Sequence, residues 1–144
     1  MGHIKTLFDG RVKIEILSSI VSPIGQVVEN PKRLFLEKGE LAEIYNREEP
    51  IRHIAYVEFI EGKTRGGHFH NRQEYFYIIR GEMEFEFIDV DTGIAEKANV
   101  KEGDLIILSP KIAHQIKTIK AGHVIEFSGS RLKPEDTIVY PFNL

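Results

Sequence analysis

The chain contains no cysteine. Disulfides are therefore excluded, and no thiol can act as a metal ligand or a nucleophile. No apolar run approaches the ~18 residues that a membrane-spanning helix needs. The first residues lack the apolar core of a secretory signal. Basic charge is not in excess either: 19 Lys and Arg stand against 22 Asp and Glu, a net charge of −3, which leaves no electrostatic footprint for nucleic acid or an anionic membrane. There is no internal repeat, no low-complexity tract and no long amphipathic helical pattern. These absences lead us to expect a cytoplasmic protein with neither nucleic acid nor a membrane as its partner. The start, Met1 to Thr6, fits the bare myristoylation pattern, but no polybasic second signal accompanies it.

What is present is an ordinary globule, 42% hydrophobic and 28% charged over 144 residues, long enough for one domain with its own core. Residues 11–17 alternate polar and apolar, the period of a half-buried strand. Turns are expected at Ser22 to Gly25, at Asn30-Pro31 and at Lys38-Gly39, and a strand over 41–45. Residues 51–60 are rich in β-branched and aromatic side chains and read as a strand, with Gly62, Gly66 and Gly67 punctuating a loop after it. Residues 75–79 are apolar on both faces, so both faces need cover, from the N-terminal fifty residues or from a second copy of the chain. On that ground we expect a homodimer. Between Glu82 and Phe87 the alternation is strict, with Met83, Phe85 and Phe87 on one face and a solvated acidic row on the other. Asp91-Thr92-Gly93 turns a hairpin into 94–100. Further strands are expected at 105–108, 115–119 and 123–127, with an edge strand at 138–140. Many short strands between Gly and Pro turns predict an all-β barrel or sandwich. We read a single domain, its barrel core about 51–128, preceded by N-terminal strands over 11–50 and followed by an extension over 129–144.

Chemistry concentrates between Gly62 and Gly81, where His68, His70 and Glu74 fall within seven residues. Residues two apart on a strand share a face, so His68 and His70 can both reach one metal ion at about 2.1 Å per bond. A straight strand does not bring Glu74 to that face. A bend at Asn71-Arg72-Gln73 would. Forty residues on, Gly103 to His114 reads as a glycine turn, a short apolar strand, a proline turn and a histidine opening a new strand.

Together the two stretches resemble the paired motifs of the cupin superfamily. Gly62, His68, His70, Glu74 and Gly81 fit every fixed point of its first motif, and Gly103, Pro110 and His114 fit the second. Lys111 stands where a glycine is usual and Thr118 where an asparagine is usual. The resemblance implies a double-stranded β-helix, or jelly roll. It also implies that His68, His70, Glu74 and His114 hold one divalent transition metal: Zn, Fe, Mn or Ni. Arg65, three residues before His68, is a candidate anchor for a substrate carboxylate or phosphate. Tyr56 is a candidate to offer its hydroxyl to the pocket, although the inward face of 51–60 is open at this point, as is that of Glu126. Arg72 and Lys63 are expected to be surface charges, and His3, His53 and His123 ordinary surface or core histidines.

A finer similarity lies in Arg65-Gly66-Gly67-His68-Phe69 and in Lys38 to Ile44, which look like segments of the nucleotide-sugar epimerases and ketoisomerases built on this barrel. This chain departs from that branch in carrying all four metal-ligand positions. The resulting expectation is a metal-dependent enzyme acting on a small oxygen-rich molecule, with sugars or sugar nucleotides leading. A dioxygenase or decarboxylase and a non-catalytic binding module are the alternatives.

Overall fold

The computed structural model describes residues 3–21 and 31–142. The turns expected at Ser22 to Gly25 and at Asn30, and the Met1-Gly2 start, lie outside the described residues. The described chain is almost entirely strand: β1 (His3–Leu7), β2 (Val12–Ile16), β3 (Ser18–Val21), β4 (Lys32–Leu36), β5 (Gly39–Glu43), β6 (His53–Phe59), β7 (Thr64–His70), β8 (Glu74–Asp89), β9 (Ala95–Lys101), β10 (Asp104–Leu108), β11 (Ile112–Ser128) and β12 (Thr137–Val139). The main sheet runs β1-β2-β10-β8-β11-β7-β12, with β6 added to β11 and β9 to β8, and β3-β4-β5 form a smaller sheet. This is the expected all-β jelly roll.

Two long strands organise it. Segments 75–79 and 82–87 are one strand, β8, and 115–119 and 123–127 are one strand, β11. Both bend at the same place. Gly81 has φ +102°, and a Cβ there would lie 2.8 Å from the Gly122 Cα and the Lys120 carbonyl oxygen. The two backbones cross at a distance that side chains would forbid, which lets the paired strands turn a barrel corner, with the register of the ladder shifting across the bend between Thr118 and Val124.

The alternation over β8 sorts side chains into two clusters. Phe76, Ile78, Met83, Phe85 and Phe87 join Val12, Ile14, Ile106, Leu108 and Val124 inside the barrel. Tyr75 and Tyr77 face outward with Leu105, Ile107 and Phe127, and Leu17, Ala42, Ile44 and Tyr45 pack over them. The chain's own N-terminal region thus covers that face, so the doubly apolar strand does not itself call for a second subunit. Arg33 of β4, buried, fixes this cover with bonds to Glu40 (2.7 Å) and to Glu102 at the barrel turn (3.0 Å).

The glycines after Gly62 sit in a strand, β7, rather than in the expected loop. Strands β1 and β3 carry little periodic signal and were not anticipated.

Candidate metal-binding pocket

Strand β7 delivers His68 and His70 to the barrel interior. The chain bends over Asn71 to Gln73, and β8 opens with Glu74. His114 lies on β11 directly opposite His68 in register. The three imidazoles converge, with ring centroids 4.7 Å apart for His68 and His70, 4.9 Å for His68 and His114, and 5.8 Å for His70 and His114. Glu74 Oε1 lies 3.1 Å from His70 Nε2 and 3.9 Å from His114 Nε2. His70, Glu74 and His114 are buried and His68 is half-buried. The cluster sits in a cavity of about 250 Å³ also lined by Val57, Phe59, Arg65, Phe76, Glu126 and Thr137.

Burial keeps the imidazoles neutral. It lowers His68, brings His70 down to about 4, with His68 and Arg72 adding repulsion, and brings His114 down to about 3. The carboxyl of Glu74 moves the other way, to about 7, because burial and the nearby Glu126 outweigh Arg72. At neutral pH His70 is uncharged, so its contact with Glu74 is polar rather than ionic. Outer partners orient the rings. His114 Nδ1 lies 3.3 Å from the Ile112 carbonyl, which leaves Nε2 toward the cavity, and Thr137 Oγ1 lies 3.3 Å from His70 Nδ1.

The donor set fits a first-row divalent metal. One ring nitrogen from each of His68, His70 and His114 lies within 4.8 Å of the others. Three atoms so spaced can all be reached from one point no more than about 2.8 Å away, near enough to the 2.0–2.1 Å of a metal–imidazole bond for small ring rotations to close the gap. Neutral imidazoles are the ligating form, and an added carboxylate suits Zn, Fe, Mn or Ni.

Of the two candidate substrate contacts, Arg65 lines the cavity and Tyr56 does not. Arg65 donates from Nε to the Glu58 carbonyl (3.2 Å), and its guanidinium lies 5.4 Å from the centre of the Phe59 ring, which leaves the rest of the fork at the cavity mouth. On β6 the inward residues are Val57 and Phe59. Tyr56 is on the opposite face, 62% exposed, with its hydroxyl bonded to His123 Nδ1. The odd-numbered residues of β6 turn in because β6 pairs with β11 so that Val57 meets Val124, a core residue.

Arg72 is a second correction. It is 6% exposed, not a surface charge, and donates to Glu74 Oε2 (3.1 Å) and to the Ser130 carbonyl (3.4 Å). Position i to i+2 across the bend returns it to the side of Glu74, a geometry that polar turn composition does not reveal. The sequence leaves the face of Glu126 open, and the structure resolves it. It faces inward opposite Phe76, and the signal for it was an acidic residue in phase with Val124 on a core strand.

No curated protein matches the sequence. Solved structures do match the fold. A dTDP-6-deoxy-D-glucose-3,5-epimerase from Legionella pneumophila superposes with a TM-score of 0.74 at 12% identity, over 96% of this chain and 77% of that one. A dTDP-4-dehydrorhamnose 3,5-epimerase from Sulfolobus tokodaii gives 0.75 at 15% identity, over 96% and 81%. A 3,4-ketoisomerase from Helicobacter canadensis gives 0.66 at 14% identity, over 76% and 86%. At such identities these likenesses speak for the fold alone. The cupin domain family matches residues 55–127, from the inward face of β6 to the end of β11 and across every ligand position described above. The chain belongs to the cupin family.

Proposed function

We propose that this cupin is an isomerase or epimerase that holds one divalent metal and acts on a carbonyl-bearing sugar, with sugar nucleotides as the leading class. His68, His70, Glu74 and His114 would hold the cation. A cation there supplies Lewis acidity toward a carbonyl oxygen, which makes the neighbouring C–H acidic. The observation that carries the reading is the convergence of three neutral imidazoles, with the Glu74 carboxyl beside two of them, on the floor of an open cavity with a cation, Arg65, at its mouth.

The chain's own residues supply the rest. Arg65 presents a fixed planar fork suited to a phosphate or carboxylate. Val57, Phe59, Phe76 and Ile116 line an apolar wall that limits water and lowers the local dielectric. Arg72 holds Glu74, and Thr137 and the Ile112 carbonyl set the rings of His70 and His114. The fold likeness to 3,5-epimerases and a 3,4-ketoisomerase supports the substrate class.

The test is elemental analysis of protein purified without a metal-affinity tag, followed by turnover of TDP-4-keto-6-deoxyglucose before and after chelation. The reading expects close to one first-row metal per chain and a loss of turnover on chelation that the metal restores. Chelated protein that works as fast as the loaded form would overturn metal dependence. A probe that binds and is recovered unchanged would favour a non-catalytic binding module.

A further inference from the structure

One carboxylate in the cavity belongs neither to the ligand set nor to any cationic clamp. Glu126 lines the same wall as Val57 and Phe76, and its side chain is 26% exposed, open to a bound molecule. Among the described residues no lysine or arginine nitrogen lies within ion-pair reach of it. Its neighbour is His53, whose Nε2 lies 3.7 Å from Oε1. That Nε2 is buried and without a hydrogen-bond partner. The sheet explains the pairing: β6 and β11 are antiparallel with His53 opposite Ser128, so Glu126 is the diagonal neighbour of His53 on the inward face. Diagonal pairs stand about 7–8 Å apart at the backbone, within reach of two long side chains.

We infer that Glu126 is the catalytic acid–base residue of this site and that His53, behind it, is a positioning residue that holds its carboxylate toward the substrate. The inference rests on the isomerase reading above. Glu126 takes the proton from the carbon next to the substrate carbonyl. The C–H electron pair becomes the new C=C bond, and the carbonyl pair moves to oxygen as an enediolate forms. Glu126, whose acid proton exchanges with solvent, then delivers a proton to the neighbouring carbon, formerly the carbonyl carbon, while the adjacent hydroxyl passes its proton to the former carbonyl oxygen and becomes the new carbonyl. Nothing is oxidised or reduced in sum, and no co-reactant is required. Apart from the imidazoles and Glu74, the cavity offers no second carboxylate among the described residues. One base on one wall returns the proton to the face it left. The chemistry is therefore carbonyl migration between neighbouring carbons rather than inversion at one carbon.

The experiment uses the full chain as purified, with TDP-4-keto-6-deoxyglucose in D₂O, followed by NMR. The wild type is expected to give a product with its carbonyl moved one carbon, carrying solvent deuterium beside it. Glu126→Gln should slow this at least 100-fold, with the probe's Kd within twofold of wild type and the metal content unchanged. Glu126→Asp should recover part of the rate. His53→Gln should lower kcat about tenfold at unchanged KM, a split that a general loss of structure would not give. Wild-type exchange persisting in Glu126→Gln would overturn the assignment while leaving the isomerase reading intact. An epimer as the sole product would overturn the single-carboxylate scheme. A wild type that binds the probe and returns it undeuterated would overturn the isomerase reading, and the dyad with it.

Discussion

Replacing Arg72 with methionine should unmask the cost of keeping Glu74 inside the barrel. Both residues are almost fully buried, 6% and 4% exposed, and one guanidinium nitrogen lies 3.1 Å from the carboxylate. Removing one partner of a buried pair typically costs about 3–5 kcal/mol, because the other charge is left without compensation. Protonation offers Glu74 an escape, so the loss must depend on pH. The folded carboxyl sits at about 7, above its value of 4.5 in an unfolded chain. The fold therefore binds this proton more tightly than the unfolded chain does. The stability Glu74 contributes is fully present below about pH 4.5 and is lost as pH rises through 7. Arg72 opposes that loss, since its charge lowers the Glu74 value. Without Arg72 the loss grows at high pH and is little changed at low pH.

The expected deficit of metal-free Arg72→Met is about 2–3 kcal/mol at pH 8: the lost hydrogen bonds plus at most ~1.4 kcal/mol, because a Glu74 that stays protonated forgoes only the one pH unit above its value of about 7. At pH 5.5, where Glu74 is protonated in either variant, the deficit should fall to about 1–2 kcal/mol, the value of lost hydrogen bonds. His70 moves the balance in the same direction, because Arg72 also lowers its value and its removal eases protonation in acid. Urea unfolding of chelated protein at the two pH values measures both numbers. The double variant Arg72→Met with Glu74→Gln should regain at least half of the pH 8 loss. A deficit below ~1 kcal/mol that is equal at both pH values would refute the argument, because it would make Arg72 a spectator and Glu74 a carboxylate that needs no cation.

Two further predictions come from backbone and orientation. Gly66 has φ +99°, and a Cβ there would lie 2.7 Å from the His114 carbonyl oxygen, between the two strands that carry His68 and His114. Gly66→Ala should cost about 2–4 kcal/mol, read as a lower thermal midpoint, and should weaken metal binding in a titration calorimeter. Tyr56 points away from the cavity and bonds His123, so Tyr56→Phe should leave both the probe's Kd and the turnover within twofold of wild type.

How much of this could be read from the chain alone follows from which signals are local. His68, His70 and Glu74 are close in sequence, and their spacing already implies one face and one bend. Strand phase fixed Met83, Phe85 and Phe87 as core, because alternation is a property of the strand itself. The phase of β6 was different. Residues 51–60 are apolar at both odd and even positions, so only the pairing of Val57 with Val124 decides that Tyr56 faces out. Arg72 reads as a surface charge because a charged residue in a turn is ordinarily solvated, and nothing nearby in sequence shows that Ser130 will close over it; the face of Glu126 stays open because 123–127 carries apolar residues in both phases. Lys111 is instructive in the other direction. It occupies a position where a glycine is usual in the family motif, and its φ of +65° shows that the turn keeps the left-handed backbone even without one. That conformation costs roughly 1–2 kcal/mol for a residue with a side chain. It persists because the Lys111 N–H donates to the His70 carbonyl (3.0 Å) and the Lys111 carbonyl accepts from Val90 (3.2 Å). The turn ties the strand bearing His114 to the strand bearing His70, so the convergence of the ligands is held by backbone bonds that no residue pattern displays.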